Sequence, residues 1–68
     1  MNNILEGLDT AGKVKALMAV RGVTQPELAK VMGVSLGTIG NRFEVGRWTL
    51  DELKKIAAAY GIEVNDLT

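Results

Sequence analysis

Residues 24–43 read TQPELAKVMGVSLGTIGNRF, and the fold turns on how they are read. Thr24 followed three residues later by Glu27 is the pattern of a capping box, and Leu28, Val31 and Met32 lay down an apolar stripe that stops at Gly33. The spacing predicts a short helix over about 25–32. Its cap is Thr24 or Gln25, and Pro26 falls in the first turn, where a missing amide hydrogen costs nothing. Ser35 is a good cap for the next helix, which is expected to run to about Phe43 with Ile39 and Phe43 on one face. Only Gly33 and Val34 separate the two helices. So short a link, at a glycine free to turn left-handed, makes the axes cross steeply instead of running antiparallel, which is the geometry of a helix-turn-helix.

The second helix of this pair carries Gly37 and Gly40 where better helix formers are expected, each costing roughly 1 kcal/mol relative to Ala. Two reasons compete. Either the helix backbone lies close against an outside partner, or it packs tightly against its own protein.

Outward from this core motif, Ala11, Val14, Leu17 and Met18 predict a helix over about 10–21, capped by Asp9 or Thr10 and stopped at Gly22. A second capping box, Thr49 with Glu52, opens a helix with Leu50, Leu53, Ile56, Ala57 and Tyr60 inward, and Gly61 closes it. In the tail IEVNDLT, Ile62, Val64 and Leu67 are available for packing, and NDLT looks like the start of a fifth helical turn. No repeat, strand pattern or linker interrupts the chain. The expectation is one all-α, compact, four- to five-helix domain over residues 1–68, with the helix-turn-helix at about 24–43.

Composition narrows the function. In 68 residues, 47% apolar and 24% charged, there is room for one small core of ordinary globular character. No stretch approaches a membrane span and MNNILEGLDT lacks the basic start and long apolar core of a signal peptide, so a cytoplasmic protein without membrane contact is expected. There is no cysteine and no histidine, which removes disulfides, thiolate metal sites, the commonest metal ligand and the commonest general base. Asp51 and Glu52 are adjacent and point about 100° apart on a helix, so they serve the helix dipole rather than acid/base chemistry. An enzyme is not expected, nor a cofactor, a metal or a small-molecule ligand.

Net charge is zero but unevenly spread. Glu6 and Asp9 make the first ten residues −2. Lys13, Lys15, Arg21, Lys30, Arg42 and Arg47 against Glu27 and Glu44 make residues 11–49 +4, and Lys54 and Lys55 against Asp51, Glu52, Glu63 and Asp66 make the remainder −2. A basic middle between acidic ends is able to put a positive face on a neutral molecule.

The ordered run TQPELAKVMGVS, TIGNRFEVG and LDELKKIAAAYGIEVNDL resembles the lambda repressor and Cro-like helix-turn-helix regulators of phages and bacteria, over about residues 13–67. The resemblance implies a five-helix domain that binds double-stranded DNA, with its third helix in the major groove and its second across the backbone. With Ile39 and Phe43 inward, Leu36, Gly37, Gly40 and Asn41 point outward as base contacts. Asn41 suits an adenine edge, and Leu36 a thymine methyl group. Arg42 is grouped with them, although it stands where the family usually has an apolar residue and the spacing to EVG is one residue longer than common. A guanine edge, a phosphate and the protein's own surface are all open to it.

Gln25, Lys30, Ser35 and Arg47 are the implied phosphate contacts. Trp48 is read as a cap on the core over the fourth helix in preference to a base-stacking residue. The implied activity is transcription regulation, of the phage or prophage repressor kind, by a homodimer on a palindromic operator. Ile4, Leu5 and Leu8, or Ile62, Val64 and Leu67, would pair across the two-fold axis, unless they only close the monomer core. The alternative is a protein-interaction module, antitoxin-like or a phage adaptor, on the same fold.

Overall fold

The computed structural model describes residues 9–68. Four helices follow one another: α1 (Thr10–Arg21), α2 (Gln25–Met32), α3 (Leu36–Val45) and α4 (Leu50–Tyr60), then a 3₁₀ turn (Val64–Asp66), with no strand among the described residues. Each α-helix opens on a side-chain cap, from Asp9, Thr24, Ser35 and Thr49 in turn, so the first orphaned amides are satisfied locally.

The caps decide points the sequence left open. Asp9, not Thr10, caps α1, its Oδ1 accepting from the Gly12 amide at 2.8 Å. Thr24, not Gln25, caps α2, and only half of the expected box forms. The Glu27 amide donates to Thr24 Oγ1 at 3.3 Å, but the Glu27 carboxylate takes the Thr24 hydroxyl at 3.2 Å instead of a backbone amide. The Thr49–Glu52 box closes both ways, with Glu52 N to Thr49 Oγ1 at 3.1 Å and Thr49 N to Glu52 Oε1 at 2.9 Å. α3 runs two residues past the expected end at Phe43, because nothing breaks it before Gly46, whose amide donates to Arg42 O at 2.8 Å. The expected fifth helical turn is the 3₁₀ turn.

The α2–α3 link is a Schellman turn. Gly33 sits at φ 71°, the Val34 amide reaches back to Ala29 O at 3.0 Å, and the Gly33 amide reaches Lys30 O at 3.2 Å. Val34 then packs against the core as the plug of the turn. The endings of α1 and α4 repeat the device, with Val23 N on Met18 O at 2.9 Å and Ile62 N on Ala57 O at 3.1 Å.

Val14, Leu28, Ala29, Met32, Ile39, Leu53, Ile56 and Leu67 form the buried core, with α2 packed on both α3 and α4. Ala29 is the small residue at these contacts. Ile62 and Val64 pack half-buried against this core and Leu67 is only 2% exposed, so these C-terminal apolar residues contribute to closing the monomer core. Ile4, Leu5 and Leu8, the other candidates, lie outside the described residues.

Leu50, expected inward, is 57% exposed. It is in register with Leu53 and Ala57 but is the first residue of α4, where the helix extends past the end of the core. The buried place in that first turn belongs to Glu52, 5% exposed, whose carboxylate accepts three hydrogen bonds from Arg42: Nε to Oε1 at 2.9 Å, Nε to Oε2 at 3.1 Å and Nη2 to Oε2 at 3.0 Å. This fork ties the last turn of α3 to the first turn of α4. Beside it Phe43 meets Trp48 edge-on, centroids 5.1 Å apart at 77°, and Lys15 of α1 lies over the other ring partner, Nζ 5.4 Å from the Phe43 centroid. Trp48 is thus a lid on the core, as expected, although its Nε1 is buried without an acceptor.

Hydrogen bonds from the Arg42 side chain hold the Glu52 carboxyl below its usual range, against the opposing effect of burial and with help from the Thr49 amide. A depressed folded value means that the pair's stabilisation is complete above the ordinary carboxylate range and is lost as pH falls through the folded value. Thermal melts should therefore be level from neutrality to mildly acid pH and decline below it. Glu52→Gln should remove part of the acid decline, and an unchanged pH profile in that variant would show that the pair does not carry it.

Candidate nucleic-acid interface

On α3 the residues opposite the core form one exposed stripe. Ile39 is fully buried and Phe43 packs on the core, while Gly37, Gly40, Asn41 and Glu44, related by steps of three and four, face solvent together. Leu36, 52% exposed, borders them at the helix start. The stripe is nearly bare, since two of its four members have no side chain.

The competing explanation of those glycines fails. A methyl group at Gly40 would meet nothing within 4 Å, and one at Gly37 only Ser35 Oγ at 3.9 Å. Nothing among the described residues needs either position empty. The α3 backbone is accessible to an outside surface, at a cost in helix propensity the fold does not recover.

Arg42 is placed elsewhere than a base contact requires. Its guanidinium turns back onto Glu52, with the side chain 24% exposed, because a buried carboxylate one helix away offers a bidentate partner at the position where apolar packing is usual. Lys55 is likewise paired, with Asp51 at 3.1 Å. Lys30 and Arg47 are exposed and carry no ion pair among the described residues.

Gln25, first residue of α2, continues the Leu28–Ala29–Met32 stripe past its buried end and is exposed there, on the side of α2 that meets α3 and α4. Lys30 lies five residues on, about 140° around the helix, so the two do not share a face. The Ser35 hydroxyl is spent locally, accepting from the Thr38 amide at 3.2 Å and bonded to the Thr38 hydroxyl at 3.0 Å. Glu44 was not foreseen; the only signal was its step of three from Asn41.

A family model of the Cro/C1-type helix-turn-helix DNA-binding domain matches residues 13–68. The chain belongs to this family. The match spans the closed Gly33 turn and all of α2, α3 and α4, the elements that make a Cro/C1-type domain a reader of double-stranded DNA. No curated protein and no solved structure matches the chain. No helix of the described residues is long and apolar enough to cross a membrane.

In a Cro/C1-type domain a methyl group at Gly40 is a sensitive probe, because the fold has room for it. Gly40→Ala should stabilise the protein by about 1 kcal/mol in denaturant or thermal unfolding. The same variant should weaken duplex binding by about tenfold. A gain in stability with unchanged binding would show that Gly40 does not face the DNA.

Proposed function

We propose that the protein is a sequence-specific transcription regulator that binds double-stranded DNA, α3 entering the major groove with Leu36, Gly37, Gly40 and Asn41 against base edges. The observation that carries this reading is the bare, unobstructed outer stripe of α3 within a closed helix-turn-helix. A groove about 12 Å wide accepts a helix more deeply when its leading face lacks side chains. Gln25, Lys30 and Arg47 are the side-chain phosphate contacts, and Ser35, its hydroxyl engaged by Thr38, contributes through the amino end of α3, which like that of α2 favours anions. The role is that of a repressor of the phage or prophage kind. Few phosphate contacts per copy give weak binding, so two copies act on a palindromic site.

Titration of labelled operator-length duplex from DNA flanking the gene, against a scrambled duplex and across a salt series, tests this. Lys30 and Arg47 are the two cations contributed by each copy, so log K should fall against log salt with a slope of about −2 for one copy and about −4 for two. Equal, weak binding to both duplexes would end the regulator reading.

A second reading, a protein-interaction module of the antitoxin-like or adaptor kind, is favoured by Leu36, Val45 and Leu50, all more than half exposed on α3 and at the start of α4. Asn41→Ala separates the two. It should weaken sequence preference in a regulator and leave DNA behaviour unchanged in an adaptor.

A further inference from the structure

Which bases α3 reads follows from its side-chain inventory. Arginine or lysine on the guanine O6 and N7 is the commonest specific contact in the major groove. α3 contains one cation, Arg42, and the structure commits it to the buried carboxylate of Glu52 through three hydrogen bonds of 2.9–3.1 Å. The exposed side chains left on α3 are Leu36, Asn41, Glu44 and Val45, with two glycines among them. Asparagine pairs bidentately with adenine N6 and N7, and an apolar side chain packs on the thymine 5-methyl group. Glu44, nearer the carboxyl end, would accept only from a base amino group and otherwise repels the backbone phosphates, so it limits how far that end of α3 approaches.

Resting on the proposed regulator function, we infer that Asn41 and Leu36 read A·T pairs, adenine facing Asn41 and a thymine methyl facing Leu36, and that Arg42 reads no guanine. Glu52 acts as a positioning residue that keeps Arg42 out of the groove. The two readers are five residues apart, a rise of about 7.5 Å along α3 and a turn of about 140° around it, so they stand at opposite edges of the face that carries Gly37 and Gly40. Asn41 follows Gly37 by four residues and Gly40 by one, so no side chain on its amino-terminal side of the stripe blocks its short amide from a base edge.

Selection of bound duplexes from a library with a randomised core, using the full chain, tests the inference. The wild-type protein should enrich sites with adenine at one position and thymine at another in the same half-site, with no guanine preference that depends on Arg42. Asn41→Ala should lose discrimination at the adenine position by about five- to 150-fold while keeping the thymine preference.

Arg42→Met combined with Glu52→Gln removes both charges and retains a side-chain oxygen for the Thr49 amide, so its helix content and melt report folding independently. This double variant should select the same sequence as the wild type. A wild-type site with a required G·C pair whose preference disappears in the double variant would overturn the inference and leave the regulator reading standing. No enrichment of any sequence by the wild type would overturn the regulator reading itself.

Discussion

The α2–α3 turn is the constraint from which the rest of the molecule follows. With Gly33 left-handed and the Val34 amide returned to Ala29 O, the chain leaves α2 and enters α3 within two residues, and Val34 is driven inward. That fixes which side of α3 meets Leu28 and Met32, hence that Ile39 is buried and that the opposite stripe is open. An L-residue other than glycine would strain this backbone, and a longer link would release the crossing of the two helices. Both the core and the exposed face of α3 inherit their register from that turn.

The Arg42–Glu52 fork holds the other end of α3. A pair of this kind is a costly substitute for apolar packing unless the carboxylate's remaining lone pairs are used, and here the Thr49 amide uses one of them. One glutamate therefore serves two ends: it completes the cap of α4 and anchors the guanidinium from α3. Protonation of that carboxyl would loosen both together.

Local chemistry made most of the fold legible. Caps at Thr24, Ser35 and Thr49 and stops at Gly22, Gly33 and Gly61 depend on residues within four positions of one another, which a linear reading captures. Leu50 and Arg42 misled for a common reason, since their surroundings are set by residues ten or more positions away or by where the core ends. Nothing near Arg42 in the chain announces that Glu52, already occupied as a capping residue, would also accept its guanidinium. The glycines of α3 were legible as a question only; the empty space around them supplied the answer about internal packing.

Positions 37 and 40 also bear on how such a protein diverges. A side chain introduced there meets almost none of the molecule that carries it, so variation at these two sites alters what the helix presents without disturbing what holds it in place. The exposed stripe and the buried contacts are separate sets of residues on opposite sides of one ten-residue helix. Substitutions at positions 37 and 40 need no compensating change in the core.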